Sequence, residues 1–272
     1  MKKAHILFSI ALLFVSTSLY ADTIRLATTT STENSGLLNV LLPLFEKSSG
    51  HKVHVIAVGT GKALRMGQDG DADVLLVHAR DAEKKFIRDG HGVNHRSVMY
   101  NDFVIVGPKE DPAGILGSHD GVAALKKIMA NKSLFISRGD NSGTHKKERA
   151  LWDIAKLKPS GKWYREAGQG MGKVLQISNE LSAYTLTDRG TWLSSHSNSS
   201  IKILVEGDKR LFNPYGIIAV NPEKYQDIHY TAGMSFIAWI TSPFAQQKIA
   251  QYQINHKTLF TPMAIRTSHL SK

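Results

Sequence analysis

Residues 23–77 read TIRLATTTSTENSGLLNVLLPLFEKSSGHKVHVIAVGTGKALRMGQDGDADVLLV, an alternation of short apolar runs with amphipathic stretches. Apolar, β-branched runs predict strands, and apolar residues spaced by three and four predict helices. The predicted order is a strand at Thr23–Ala27, a helix over Leu37–Phe45, a strand at Val53–Val58, a helix over Lys62–Gln68 and a strand at Asp73–Val77. This order is typical of an α/β unit, and the nearly continuous apolar third run suits a parallel strand covered on both faces.

The alternation continues with a fourth strand that stops at Gly107-Pro108, and it restarts after residue 108. Further strands are predicted at Phe103–Val106, Leu134–Ser137, Ile201–Val205 and Tyr215–Val220. Further helices are predicted from Ser142 through Trp152, from Met171 to Thr185 and from Ala232 to Ile249. The Ser242-Pro243 pair should kink or split the last helix, because proline lacks a backbone N–H.

Two groups of elements predict two α/β lobes joined by two hinge crossings, near Phe103–Gly107 and Pro214–Val220. The first lobe would combine residues 22–105 with 218–272, and the second would contain residues 106–217. A single continuous sheet is the alternative architecture. A cleft between two such lobes is a usual site for a small ligand.

Three polar loops follow predicted strands, which is where α/β sheets bind their ligands. They span Thr28–Thr32, Gly59–Gly61 and Ser137–His145. Hydroxyls and free N–H groups at helix N-termini form a cradle for an anion, although Ser, Thr and Asp also serve there simply as helix caps. Arg138 adds a fixed positive charge, and Asp140 could hold it by an ion pair while offsetting part of that charge.

Six segments of the chain resemble the periplasmic tungstate-binding proteins of ABC transporters. They are Ala27–Leu37, Val58–Ala63, Asp71–Ala79, Ser137–His145, Glu166–Gly172 and Ala183–Thr191. The resemblance implies a type II periplasmic-binding-protein fold of two lobes that close on one tetrahedral oxyanion, tungstate or molybdate. It also implies a membrane permease as partner.

The loops and the resemblance together give the expected oxyanion-binding residues. These are Thr29, Thr30, Ser31, Thr60, Arg138, Ser142, Gly143 and Thr144. We expect no catalytic residue, no metal ligand and no cofactor. The protein is expected to be a monomer.

One segment departs from the periplasmic phosphate-binding proteins, which are similar around Arg138–Thr144. Those proteins carry an acidic acceptor after their third strand, whereas this chain reads Leu76-Val77-His78-Ala79-Arg80 there. A site made only of donors favours an oxyanion that carries no proton, since a carboxylate would repel a dianion. His78 could be a further donor or a support for the loops, but an ordinary buried histidine fits equally well.

The N-terminus predicts export. Residues 1–21 have the basic start, short apolar run and small-residue end of a cleaved signal peptide, which places the mature protein in the periplasm. The chain has 272 residues, no cysteine and a formal net charge of +11. The absence of cysteine excludes disulfides, thiolate zinc sites and a cysteine nucleophile. Despite the basic charge, no nucleic-acid-binding motif is recognisable.

A rival hypothesis is an exported phosphoester hydrolase, or a phosphate-binding receptor, that uses the same loops. Gly139–Gly143 only superficially resembles a serine-protease loop, and no triad partners are identifiable from the sequence. His91 and His95 are spaced for one helical face, but the neighbouring glycines favour a loop instead of a metal site.

Overall fold

A computed structural model describes residues 22–195 and 200–264 of the chain. The predicted signal peptide, residues 1–21, lies outside the described residues. Within the described ranges no helix is long and apolar enough to cross a bilayer.

The described residues alternate strands and helices through most of their length. The strands are β1 (Thr23–Thr29), β2 (Lys52–Val58), β3 (Val74–Val77), β4 (Gly92–Pro108), β5 (Phe135–Ser137), β6 (Tyr164–Glu166), β7 (Thr185–Asp188), β8 (Ile201–Val205), β9 (Phe212–Val220), β10 (Gln253–Ile254), β11 (Lys257–Thr258) and β12 (Thr261–Pro262). The helices are α1 (Thr30–Asn34), α2 (Leu37–Ser49), α3 (Thr60–Asp69), α4 (Arg80–Arg88), α5 (Gly121–Ala130), α6 (Gly143–Ile154), α7 (Met171–Glu180), α8 (Arg189–Ser195), α9 (Tyr230–Ile240) and α10 (Pro243–Gln251), and a 3-10 turn spans Lys209–Leu211.

One group of strands, which we call the first lobe, is ordered β2-β1-β3-β9-β4. β1 is parallel to β2 and β3, whereas β9 is antiparallel to both β3 and the first half of β4. Strand alternation divides the buried side chains between two apolar clusters. Leu26, Leu76 and Ile217 belong to the cluster that includes α2 and α9. Their neighbours Ala27, Leu75 and Ile218 belong to the cluster with α3 and α4, so both faces of the sheet are covered.

β4 continues into a second group of strands, the second lobe. Residues 103–106 pair with β7, and the strand's end at Gly107 and Pro108 pairs with β8. Phe103 and Ile105 face a cluster with α5 and α6, while Val104 and Val106 join the large cluster that also contains Leu26. Hydrogen bonding therefore runs from one lobe into the other through one strand, and apolar side chains of both lobes share a core.

Two helix predictions have different outcomes. The split at Ser242-Pro243 is confirmed: α9 ends at Ile240, and the Ser242 hydroxyl caps α10 by accepting from the Ala245 N–H at 3.3 Å. The predicted helix over Met171–Thr185 is wrong at its end, because α7 stops at Glu180 and Thr185 begins β7. Pairing of β7 with β4 buries all four β7 residues and overrides the local helical pattern.

The lobe boundaries at residues 105 and 217 stay a prediction. The pairing of β4 changes from β9 to β7 between Asp102 and Phe103, close to the first expected crossing. On the return path, all of β9 from Phe212 onward pairs with first-lobe strands. We therefore propose a second crossing near residue 212, slightly earlier than the sequence suggests.

Candidate functional site

Three strand ends bring the three polar loops to one place. α1 follows β1 directly, Gly59 alone separates β2 from α3, and residues 138–142 lead from β5 into α6. All eight residues expected to bind the oxyanion line one small cavity there: Thr29, Thr30, Ser31, Thr60, Arg138, Ser142, Gly143 and Thr144. Val58, Gly59 and His78 complete its lining. The structure thus brings every expected residue together, and their role as ligands stays a prediction.

The cavity holds about 10 Å³. Pockets that take drug-sized organic ligands hold roughly 300–1,000 Å³. Of the eight expected residues only Thr30 is more than slightly exposed. Such a small, buried space excludes an organic molecule of ordinary size.

Two helices direct their N-termini at this cavity. The first N–H groups of an α-helix have no acceptor within the helix and carry the positive end of its dipole. At α3 the capping residue is Gly59, which has no side chain to satisfy them. At α6 the Ser142 hydroxyl accepts from the His145 N–H at 3.2 Å, which leaves the N–H groups of Gly143 and Thr144 for another acceptor.

Arg138 is the cationic side chain of the cavity lining, and its side chain is 7% exposed. One terminal nitrogen forms an ion pair with Asp140, which also accepts from the Ser142 N–H at 3.1 Å. Burial alone would raise the pKa of Asp140, but the Ser142 and Arg138 hydrogen bonds hold it below its ordinary value. The buried Arg138 Nε has no hydrogen-bond partner among the described residues. Arg138 is therefore braced by Asp140 and still has a free donor.

Glu148 fixes the segment that carries Arg138. It accepts from the Ser137 hydroxyl at 2.7 Å, the Tyr164 hydroxyl at 2.7 Å and the Trp152 Nε1–H at 3.2 Å. Burial raises the pKa of Glu148, and these hydrogen bonds offset only part of that rise. Because Ser137 ends β5 and Glu148 lies on α6, the network sets the position of the loop between them.

Thr60 presents a second free donor. Its residue is 1% exposed, and its hydroxyl has no partner among the residues that the structure describes. Buried polar atoms are nearly always hydrogen-bonded, so an unpartnered hydroxyl in the wall of a cavity points to a ligand as the missing partner.

His78 supports the first loop. Its Nδ1–H donates to Asn213 Oδ1 at 2.9 Å, and Asn213 in turn donates from Nδ2 to Asn101 Oδ1 at 2.7 Å. Burial lowers the pKa of His78 and outweighs the nearby Asp188 carboxylate, so the imidazole is neutral. Nε2 is then an acceptor, and it lies 3.1 Å from Thr29 Oγ1 and 3.2 Å from Ser31 Oγ.

This arrangement makes His78 a support and not a ligand donor. When the Thr29 hydroxyl donates to Nε2, the Ser31 proton remains available to an anion. Thr29 meanwhile accepts from the Thr32 N–H at 3.2 Å, which caps α1. The contact between His78 and Asn213 could not be foreseen from the sequence, where 135 positions separate them.

At Gly143 the second lobe approaches the first lobe closely. A Cβ on Gly143 would lie 3.1 Å from His78 Cε1 and 3.2 Å from Thr60 Oγ1, both in the first lobe. The approach of α6 to the first lobe therefore depends on the absence of a side chain at this position.

The lining residues of this cavity, all within the described ranges, include no Asp or Glu. Asp81, the first carboxylate after His78, instead lines a larger neighbouring cavity. The polar groups of the lining are thus hydroxyls, backbone N–H groups, one guanidinium and the neutral His78 imidazole. Such a site can bind an anion through donated hydrogen bonds but offers no carboxylate to accept a proton from it.

Comparisons with known proteins agree with this chemistry. A sequence model described as a PBP superfamily domain matches residues 16–243. The tungstate-binding protein TupA of Peptoclostridium acidaminophilum is 51% identical over 247 residues, covering 89% of this chain and 86% of that protein.

Two solved structures are also similar. The tungstate ABC transporter structure from Geobacter sulfurreducens is 53% identical with a TM-score of 0.78, covering 85% of this chain and 98% of that one. The tungstate-binding protein TupA from Desulfovibrio alaskensis G20 is 46% identical with a TM-score of 0.78, covering 90% of this chain and 100% of that one.

Proposed function

This chain belongs to the PBP superfamily and, within it, to the family of tungstate-binding proteins, and from that membership we propose that it captures tungstate and delivers it to an ABC transporter permease. The predicted fold class, α/β of the type II periplasmic-binding-protein kind, is confirmed. We place the receptor in the periplasm, as the predicted signal peptide suggests. We propose that it acts there as a monomer that binds its ligand without changing it.

The observation that carries this proposal is the cavity between the two lobes, whose lining is rich in donors and contains no carboxylate. Thr60 Oγ1 and Arg138 Nε are buried donors with no partner in the described residues, and both residues line its wall. Hydrogen bonds to charged groups contribute roughly 1.5–3 kcal/mol each. About six to eight of them could reach nanomolar affinity, near −12 kcal/mol, after the costs of ordering.

The same lining supports selectivity against phosphate. Hydrogen phosphate brings a proton that needs an acceptor, and the cavity lining contains no carboxylate. Arg138 and the helix N–H groups are donors themselves, and the one nitrogen acceptor of the lining, His78 Nε2, already takes the Thr29 hydroxyl proton. Tungstate, molybdate and sulfate carry no proton near neutral pH and avoid this mismatch.

One geometric feature favours the rival hydrolase hypothesis. Ser31, His78 and Asn213 form a hydrogen-bonded row that resembles a nucleophile, a base and its orienting residue. Burial lowers the pKa of His78, which makes it a weak base, and the uncharged Asn213 would give an imidazolium little support. These features support binding over hydrolysis.

Calorimetric titration of the exported chain, residues 22–272, tests the proposal. Tungstate, molybdate, sulfate and phosphate should be titrated separately at pH 7.5 and constant ionic strength. We expect tight one-to-one binding of tungstate and no comparable binding of phosphate. Phosphate binding as tight as tungstate binding would contradict the argument from the lining without a carboxylate.

A hydrolase assay separates the two hypotheses. The same protein should be incubated with p-nitrophenyl phosphate and p-nitrophenyl acetate, with the Ser31→Ala variant as the matched control. We expect no release of p-nitrophenol above the rate of that variant. Turnover that depends on Ser31 would favour the hydrolase instead.

A further inference from the structure

A second, larger cavity adjoins the oxyanion cavity and is not used by the function proposed above. It has a volume of about 430 Å³, which falls within the roughly 300–1,000 Å³ of organic-ligand pockets. His78 and Gly143 line both cavities, so the two share a wall. The larger one lies between the start of α4, one side of α6 and residues 209–214 at the second crossing. We call it the basic hinge pocket.

The charge of the basic hinge pocket is strongly positive. Its lining includes five basic residues, Arg80, Lys146, Lys147, Lys209 and Arg210, against one acidic residue, Asp81. Arg210 is neutralised, because it pairs with Asp120 at 2.6 Å and with Asp208 at 2.8 Å. Within residues 22–195 and 200–264, no carboxylate lies within 4 Å of the charged nitrogens of the other four.

Lys147 is the most enclosed of these cations. Its Nζ donates to the carbonyl oxygens of Arg210 and Phe212, at 3.0 and 3.1 Å, and lies 5.7 Å from the centre of the Phe103 ring. Burial lowers its pKa, and the more distant Asp81 and Asp208 compensate only partly. A half-buried ammonium group without a carboxylate partner is costly, and a bound anion would remove part of that cost.

We propose that the basic hinge pocket is a second anion site, which takes a multivalent anion of the size of a condensed phosphate or a tricarboxylate. Four residues with cationic side chains and no carboxylate partner line a cavity whose volume admits such a molecule. A single tetrahedral oxyanion fits the neighbouring small cavity better, because that one provides close donors on several sides. Several anionic groups on one molecule are needed to contact cations that belong to different elements.

Occupation of this pocket favours closure of the lobes. Arg80 begins α4 in the first lobe, whereas Lys146 lies on α6 in the second. An anion that contacts both of them stabilises the arrangement in which they face each other. The coupling rests on the proposed function, because closure also completes the tungstate site. By linkage, each anion then strengthens the binding of the other.

Calorimetric titration with inorganic tripolyphosphate, and separately with citrate, tests the site itself. The test variant is Arg80→Ser with Lys146→Ser. The matched control is Lys84→Ser with Arg149→Ser, which removes the same two charges from exposed positions of the same two helices. We expect saturable binding to the unaltered protein, weaker by about tenfold or more in the test variant, and changed by less than about twofold in the control.

Binding of tripolyphosphate alone would assign the site to condensed phosphates, and binding of citrate alone would assign it to polycarboxylates. Either result supports the proposed second anion site. Lack of saturable binding by both probes, or equal loss in the two variants, would overturn it.

A second titration tests the coupling and separates the two proposals. Tungstate is titrated with and without a saturating concentration of whichever probe binds. We expect the tungstate dissociation constant to fall by about fivefold or more in its presence, a typical magnitude of coupling between sites. A rise in the tungstate dissociation constant means that the probe competes for the oxyanion cavity. An unchanged constant means that the two sites are independent. Either result overturns the proposed coupling between the basic hinge pocket and the oxyanion cavity. Failure of tungstate to bind without any probe contradicts the proposed function alone.

Discussion

At the scale of single residues, the oxyanion cavity is built from polar groups of two kinds. Some are already satisfied inside the protein, such as Asp140 and His78, and they hold their neighbours in place. Others, the Arg138 Nε and the Thr60 hydroxyl, are buried without a partner in the described residues. Because an unpaired buried donor is costly, these two atoms are where a bound oxyanion gains most.

Replacing Arg138 should therefore weaken tungstate binding severely. The Arg138→Ala change removes the cationic side chain of the cavity lining and leaves Asp140 without its ion-pair partner. Loss of one member of a buried charge pair costs about 2–5 kcal/mol, or roughly 30-fold and more in affinity. Arg138→Lys should recover only part of the tungstate affinity, because an ammonium group cannot reproduce the planar set of N–H donors of a guanidinium. The measurement is calorimetric titration together with thermal unfolding.

Arg65→Ala is the matched control, since Arg65 forms an exposed ion pair with Asp69 on α3. Its tungstate affinity should remain unchanged. If Arg138 serves only to brace Asp140, Arg138→Ala would unfold at a lower temperature while tungstate affinity stayed within a few-fold. That result would remove Arg138 from the binding site.

The neutral state of His78 makes stability depend on pH. Burial lowers the pKa of His78 in the folded protein below the ordinary value of about 6.5. The unfolded chain then binds a proton that the folded one does not. Above about pH 6.5 His78 is neutral in both states and does not change the free energy of unfolding. As the pH falls below that value, protonation of the unfolded chain lowers the free energy of unfolding by up to about 1.4 kcal/mol per pH unit.

Urea unfolding between pH 7.5 and 5 checks this against His78→Gln, whose amide cannot titrate. The free energy of unfolding of the unaltered protein should fall more steeply with decreasing pH than that of the variant. Other groups titrate in both proteins, so the difference between the two slopes isolates His78. Parallel slopes would mean that burial does not lower the pKa of His78 in the folded protein.

At the scale of elements, the site is an assembly of strand ends and helix starts. α3 and α6 approach the cavity from different lobes, and Gly143 at the start of α6 lies against His78 and Thr60. The position of α6 relative to the first lobe therefore controls whether donors from both sides can reach one ion.

Adding a methyl group to the first residue of α6 should weaken binding without damaging the helix. In Gly143→Ala the new Cβ would lie 3.1–3.2 Å from first-lobe atoms. Overpacking of this kind costs about 1–3 kcal/mol, so tungstate affinity should fall by about tenfold. Gly61→Ala in the first turn of α3 is the control, since nothing lies within 4 Å of its Cβ. Equal affinities of the two variants would show that the contact at Gly143 does not matter.

The local parts of this assembly could be predicted from the sequence, and the long-range parts could not. The loops at Thr29, Gly59 and Ser142 each follow an apolar run and precede an amphipathic one, so their place at strand ends is visible locally. The support of His78 by Asn213 comes from β9, far away in the chain, and a lone asparagine before a proline carries no periodic signal. The local pattern predicts a helix as far as Thr185, the first residue of β7. That prediction fails because the pairing of β7 with β4, and not the residues of β7 themselves, decides the conformation.

At the scale of the whole molecule, the ligand site exists only when both lobes contribute. Thr29, Ser31 and Thr60 come from the first lobe, whereas Arg138 and the start of α6 come from the second. An ion that binds both sets of donors favours the closed arrangement of the lobes over an open one. The size of this preference equals the difference between the binding free energies of the ion to the closed and to the open arrangement.

Saturating tungstate should therefore make the molecule more compact and more stable. We expect small-angle scattering to give a smaller radius of gyration with tungstate than with phosphate at equal ionic strength. At about 100 times the dissociation constant, linkage adds roughly 2.7 kcal/mol to the free energy of unfolding, which thermal unfolding would register. A scattering profile that tungstate leaves unchanged would argue against closure of the lobes.

The place of β9 in the sheet has a consequence for how the protein is made. β9 lies between β3 and β4, yet it is synthesised more than a hundred residues after either has begun. Until the ribosome has passed residue 220, β3 and the first half of β4 both expose strand edges that β9 will later cover. Such edges invite pairing with other chains, so any partly folded form that lacks β9 is vulnerable to aggregation. The lobe that begins the chain is the last to be completed.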